Sequence, residues 1–252
     1  DQIMTWGYSS SIILNRTDNS YIGNVPQVFA CNGTRTGTWT KLIVSHHNLF
    51  AVTSTGELWG AGDNTVGQLG LGDTTNTDAR RRYLHKITIA GKTVRDVKMS
   101  HGDTTSVSVY AITTDNLLYA WGYNGYGQLG INNTTNANTP QFVVVPGAVA
   151  VADISVGGSQ ATHLLVRTTD QKLHACGWNA HGQLGLGDTT DRLQLVTVAG
   201  KTITDMRALT GANNAVVNYY GISIILLTSG QMQIAGYNGS GGIGDSTTTQ
   251  RN

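Results

Sequence analysis

Three observations predict an all-β fold, a β-propeller assembled from antiparallel four-stranded blades. The passage Leu-Tyr-Ala-Trp-Gly-Tyr-Asn-Gly-Tyr-Gly-Gln-Leu-Gly at residues 118–130 recurs, with copies starting at Leu58, Leu173 and Met232. The glycines that end the apolar run of each copy, Gly7, Gly62, Gly122, Gly177 and Gly236, stand 55, 60, 55 and 59 residues apart by subtraction. Such a period marks a repeated supersecondary unit. Between these glycines the apolar runs are short, partly β-branched and bounded by turn residues, and helical periodicity is nowhere sustained.

Within a unit the elements keep one order. Residues 27–30, 84–89, 141–145 and 194–198 read as outer strands. Pro26 and Pro140 introduce two of them, which suits an edge because proline cannot donate to the ladder. Residues 41–44, 94–99, 151–155 and 203–208 supply the next strand. Then 49–52, 107–112, 163–166 and 222–227 run into tight turns at 54–57, 114–117, 169–172 and 229–231 and return as the strand before the repeated glycine, an antiparallel hairpin. A four-stranded unit of this size cannot bury both faces of its sheet alone. Stacking units radially covers each sheet with its neighbour.

The loops after the repeated glycines are equally regular. Asn64, Asn124, Asn179 and Asn238 keep step two residues on, with Ser9 in the first copy, and Gly-Gln-Leu-Gly follows at 67, 127 and 182, loosened to Gly-Gly-Ile-Gly at 241. Glycine is expected where the chain takes positive φ or a Cβ would collide. Leu69, Leu129 and Leu184 are expected to bury between blades, and Gln68, Gln128 and Gln183 to bond loop backbone that would otherwise be unpaired. The four intervals leave partial units at 1–7 and 237–252. Residues 1–252 therefore read as one propeller domain: a ring of four with overlapping ends, a ring of five with an incomplete blade, or a fragment of a larger ring. An open propeller exposes strand edges, so closure, a partner or a larger assembly is expected.

Composition narrows the function classes. Only 12% of residues are charged, the formal net charge is +1 and 32 residues are glycine. No sustained basic run predicts a nucleic-acid partner, and no apolar stretch approaches the ~18 residues of a membrane span. The N-terminus, starting at Asp1, does not read as a signal peptide. Cys31 and Cys176 are too few for a disulfide framework or a zinc site. Cys176 shares its strand position with Trp6, Ala61, Trp121 and Ala235, which suits a small buried thiol.

The run strand-Trp-Gly-x-Asn, Gly-Gln-Leu-Gly-x-Gly-Asp, Pro-x-x-Val and an apolar hairpin strand resembles the regulator of chromosome condensation repeat family over nearly the whole chain. The copies at Leu58 and Leu173 are the closest and extend through Asp73 and Asp188; Asn133 replaces that aspartate in the copy at Leu118, and the copy at Met232 is shortened to Gly244-Asp245. In the first copy only Trp6-Gly7 is clear. The resemblance implies a propeller, commonly of seven blades, that works through one face as an intracellular exchange factor or a secreted inhibitor does.

Motifs that look catalytic dissolve against the repeat. The segments Gly125-x-Gly127-x-x-Gly130 and Gly239-x-Gly241-x-x-Gly244 match a dinucleotide fingerprint but lack its βαβ setting. Gly91-Lys92-Thr93 and Gly200-Lys201-Thr202 read as turns between strands of a blade. Of His46 and His47 only one could face any site, because neighbours on a strand point to opposite faces. His163 reads as structural, and Asp96, Asp153 and Asp205, recurring on one strand of successive units, read as structural acceptors. No catalytic residue, metal ligand or cofactor is assigned.

What is left is the surface of equivalent loops. Tyr123, Trp178 and Tyr237 follow the repeated glycines, as do Tyr8 and Asp63, and Tyr126 and His181 stand further along. On one face they would form an aromatic, amide-rich surface for a sugar or a protein; the competing expectation packs them against neighbouring blades. The connection at 78–85, with Arg80, Arg81, Arg82 and Tyr83, reads as a solvated loop and a second contact candidate. The expected function is a non-enzymatic binding or structural module, exposed on a virion or cell surface and recognising a glycan or protein. The alternative is an intracellular or secreted protein regulator, exchange-factor-like or enzyme-inhibitor-like.

Overall fold

The computed structural model describes residues 2–8, 22–45, 47–101, 105–157, 162–212, 219–241 and 243–251. It is all-β. The first unit holds β1 (Met4–Tyr8) and β2 (Ile22–Val28), paired antiparallel and, among the described residues, bonded to no other strand. Blade I contains β4 (Trp39–Val44), β5 (Asn48–Thr53), β6 (Leu58–Gly62) and β7 (Tyr83–Ile87). Outside β7 lies β3 (Ala30–Asn32), in parallel, a fifth strand that the antiparallel expectation did not contain. Blade II is β8 (Val94–Met99), β9 (Ser108–Thr113), β10 (Leu118–Gly122) and β11 (Ala137–Val143), with Pro140 on the edge strand β11.

Blade III is β12 (Val151–Val156), β13 (His163–Thr168), β14 (Lys172–Gly177) and the first part of β15 (Arg192–Ala212). The rest of β15 pairs with β16 (Tyr219–Leu227), which pairs with β17 (Met232–Gly236). The separate strands expected at 194–198 and 203–208 are thus one 21-residue strand that leaves blade III and enters blade IV. Gly200-Lys201-Thr202 lies inside it and Gly91-Lys92-Thr93 between β7 and β8, so both join blades rather than strands of one blade. Among the described residues three units have all four strands. Between them no helix is long and apolar enough to cross a membrane.

Side-chain chemistry ties the blades together. Leu69 and Leu129 are fully buried in a core that runs through blades I to III, and Leu184 lies in the core between III and IV. The carbonyl of each motif glutamine is reached from the next blade: Trp121 Nε1 donates to Gln68 O at 2.9 Å, the Cys176 thiol to Gln128 O at 3.6 Å, and Ser223 Oγ to Gln183 O at 2.5 Å, while Tyr110 Oη of the same blade also donates to Gln128 O at 2.9 Å. The first strands of neighbouring blades are joined by ion pairs, Lys41 to Asp96 at 2.5 Å and Lys98 to Asp153 at 2.6 Å. Asp205 accepts from Met206 N and Arg207, so all three repeated aspartates are structural acceptors.

The position of Cys176 shows how well each seam is filled. Trp121 packs below Gly70 and the Cys176 thiol below Gly130, the latter fully buried with its pKa pushed well up by that burial. In the last seam Ala235 stands in the same place, and a crevice of about 100 Å³ is left among Leu165, Leu184, Ile225 and Ala235. Leu129→Ala should therefore cost about 2–5 kcal/mol, the range for an emptied core leucine, read as a lower urea midpoint. Ala235→Val should raise the midpoint, by about 0.5–2 kcal/mol in stability, because the added methyls enter existing space; a fall would mean that the seam cannot accept them.

Candidate partner-binding face

The loops that follow the third strand of each blade are held by one buried residue type. Asn64, Asn124, Asn179 and Asn238 are fully buried. In each loop the Asn Oδ1 accepts the backbone N–H of the motif leucine or isoleucine, at Leu69, Leu129, Leu184 and Ile243, at 2.9–3.0 Å. The Asn Nδ2 donates across the loop to carbonyls at Thr75, Thr135, Thr190 and Thr249. Inside the ring so closed, the glutamine Oε1 accepts the N–H of Val66, Tyr126 or His181, as expected for Gln68, Gln128 and Gln183.

The glycine at the loop entry is a steric requirement. At Gly62, Gly122, Gly177 and Gly236 φ is positive, between +93° and +120°, and a Cβ would run into the carbonyl of His47, Val107, Thr162 or Gly221. That carbonyl accepts the N–H of the next residue, Asp63, Tyr123, Trp178 or Tyr237. The residue after each glycine is thereby held at a fixed backbone position. The sequence marks all of these asparagines by their register, but the clamp itself needs the fold to be seen.

On this frame four of the candidates come together. Ring centroids are 6.2 Å apart for Tyr126 and Trp178, 5.1 Å for Trp178 and His181, and 5.0 Å for His181 and Tyr237, with interplanar angles of 55°, 85° and 70°. The row crosses blades II, III and IV. Each half-buried ring four residues after its glycine meets the ring one residue after the glycine of the next blade. The rings pack across blade seams and still keep exposed surface. Tyr123 is half-buried and its hydroxyl end lies over Gly125, as that of Tyr237 lies over Gly239. In blade I the matching residue is Asp63, fully buried, with Oδ2 3.5 Å from His47 Nδ1, so the aromatic row does not extend there. His46, Ser9 and Gly242 lie outside the described residues.

The 78–85 connection differs from expectation. It is a short helix, α1 (Asp78–Arg82), running into β7, and not a solvated loop. Arg80 is turned inward, with Nη2 2.7 Å from Asp73 Oδ2 and Nη1 3.4 Å from His85 Nδ1. The pair repeats as Asp188–Arg192 and Asp245–Arg251, both at 2.5 Å. The Thr190 N–H and the Arg192 guanidinium hold the Asp188 carboxyl below the usual range. Arg80 is thus a loop fastener, and Tyr83 is exposed at 43%. Arg82 is half-buried, and Arg81 is described only through its place in α1. No contact brings this segment to the aromatic row among the described residues.

The opposite face carries the hairpin turns. There a groove of about 570 Å³ between blades I and II is lined by threonines and by the pairs Lys86–Glu57 at 2.6 Å and Lys92–Asp115 at 2.5 Å. Burial works to raise the Glu57 pKa, but bonds from Lys86, Thr36 N–H and the Trp59 indole outweigh it and leave it at about 2. The charges of this groove neutralise each other.

Repeated blades, clamped loops and an interblade aromatic row define a β-propeller. Residues 115–163 match the family model described as Regulator of chromosome condensation (RCC1) repeat, the family that the motif resembles, and the fold is a β-propeller. It is 28% identical to the ultraviolet-B receptor UVR8 of Arabidopsis thaliana over 192 residues, covering 76% of this chain and 40% of that protein. Among solved structures it is similar to human WBSCR16, with TM-score 0.72 and 18% identity, covering all of this chain and 61% of the other. It is also similar to yeast RCC1 (Prp20), solved with Kap60 bound, with TM-score 0.70 and 16% identity, covering 93% of this chain and 51% of the other. The chain thus spans between two-fifths and about three-fifths of these relatives' lengths.

His163 ties the frame to pH. It is fully buried, its Nε2 lies 2.9 Å from Ser223 Oγ in the next blade, and burial pushes its pKa down to about 4. Between pH 6.5 and about 4 the unfolded chain takes up a proton that the folded state refuses. Stability should be full above pH 6.5 and fall as pH drops toward 4. Buried His174, also shifted down by desolvation, acts in the same direction. Urea midpoints at pH 7, 5.5 and 4 should show the decline, and His163→Gln should flatten it.

Proposed function

We propose that the chain is a non-enzymatic protein-binding propeller whose partner lies across the loops of blades II to IV. The observation that carries this reading is the continuous row Tyr126, Trp178, His181 and Tyr237. Tyrosine and tryptophan dominate binding energy at protein interfaces because they bury large area at little entropic cost. A row spanning three blades matches a partner's surface better than a small pocket. The steep angles between the rings favour protein over glycan. An edge-to-face pair uses the flat face of one ring for its neighbour, and a flat face is what a sugar stacks on. The regulator alternative of the sequence analysis accords with this, as does a neighbour such as yeast RCC1 solved with the protein Kap60.

The test sets wild type beside Trp178→Ala/Tyr237→Ala, with matching thermal melts as the folding control. Both are presented to a glycan array and to quantitative affinity capture. Retained proteins should drop at least ~10-fold with the variant, the scale of a lost hot spot, and no glycan should depend on the row. Row-dependent glycan binding, or capture indifferent to the substitutions, would overturn the proposal.

A further inference from the structure

Resting on that reading, we infer that the row takes a proline-rich segment in the polyproline II conformation. Three features point to this ligand chemistry. The first is relief. Rings standing at 55°, 85° and 70° to one another make alternating ridges and clefts instead of a continuous plate. Clefts between aromatic ridges are what proline rings enter when polyproline helices are recognised. The second is spacing. Successive gaps of 5.1 and 5.0 Å keep Trp178 and Tyr237 within about 10 Å of each other, a reach comparable to one turn of a polyproline II helix, which advances ~9.3 Å in three residues.

The third feature is charge. Carboxylates on the loops beneath the row are already engaged: Asp188 by Arg192, Asp245 by Arg251, and Asp191 by the backbone N–H of Asn179. A cationic peptide therefore finds no unengaged acid among them. The surface suits a neutral ligand rich in acceptors. Polyproline II exposes every carbonyl and its prolines bring no N–H to be desolvated. The Trp178 indole N–H, to which no described residue offers an acceptor, can donate to such a carbonyl. Because the helix is formed before binding, little ordering entropy opposes the contact.

The experiment measures fluorescence anisotropy of labelled decaproline, with a Gly-Ser decapeptide as the control. Saturable binding with Kd below ~1 mM is expected for decaproline alone. Trp178→Ala should weaken it at least ~10-fold. Trp178→Phe, which keeps the ridge and removes the donor, should weaken it less, and thermal melts confirm that both variants fold. No binding at ~1 mM, or equal binding by Trp178→Ala, overturns the inference. A random-peptide display on wild type and Trp178→Ala separates the two levels. Row-dependent peptides without proline enrichment would overturn the polyproline assignment and leave the protein-binding proposal standing. Absence of any row-dependent peptide, together with row-independent capture, would overturn both.

Discussion

The buried asparagine of each loop is the constraint on which the functional face depends. A loop of about a dozen residues that closes without secondary structure leaves backbone groups unpaired, and burying them costs about 1–3 kcal/mol each. Asn124 meets this with both ends of one short side chain, accepting from Leu129 N and donating to Asn133 O and Thr135 O. The same atoms do the same work at 64, 179 and 238. No other residue of that length carries an acceptor and two donors on one planar group. With the loop closed, the leucine beneath it can enter the seam and the residue after the glycine is held above it.

From this constraint follows a division of labour along the repeat. Positions facing inward recur because each must satisfy the same geometry: the glycine against a carbonyl, the asparagine across the loop, the glutamine whose carbonyl meets the next blade. Positions facing outward are free to differ, and they do. Asp63, Tyr123, Trp178 and Tyr237 occupy one backbone site with two chemistries, a buried acid in blade I and rings in the others. The Asp73–Arg80, Asp188–Arg192 and Asp245–Arg251 pairs show an intermediate case. The acid stands nine residues after the buried asparagine at Asp73 and Asp188 but seven after it at Asp245, the arginine comes from seven, four or six residues further on, and Asn133 dispenses with the pair altogether.

What could be read from the sequence follows the same line. The hairpins, the four-strand unit, the buried leucines and the glutamine bonds all repeat, and repetition makes them legible. The seams do not announce themselves. The sequence repeat is out of phase with the blade, since each glycine-to-glycine interval holds the last strand of one sheet and the first three of the next. This is why β15 appeared as two strands separated by a turn, and why the parallel strand β3, present once, left no periodic signal. For the site, the residue types were visible but not their pairing. Tyr126 and Trp178 lie far apart in sequence and meet only because the fourth position of one loop faces the first of the next. The pairing of Arg80 with Asp73 is hidden in the sequence because Asp73 belongs to the repeated motif, whereas α1 interrupts the repeat.

The aromatic row and its frame also differ in what holds them. The frame is enclosed, with each asparagine amide matched within its loop and each motif glutamine carbonyl met across a seam. The rings are placed by that frame at their backbone ends and by each other at their tips, edge against face, which contributes about 0.5–1.5 kcal/mol per pair beyond area burial. His181 takes part from both sides, between Trp178 and Tyr237, and connects the blade II–III seam to the blade III–IV seam. Removing one ring from such a row frees its neighbours to turn, so the effect of a substitution on binding spreads beyond the residue changed, while the clamped loop beneath keeps its shape. A rigid frame carrying a mutually braced row lets the contact surface change between copies without the blade being rebuilt.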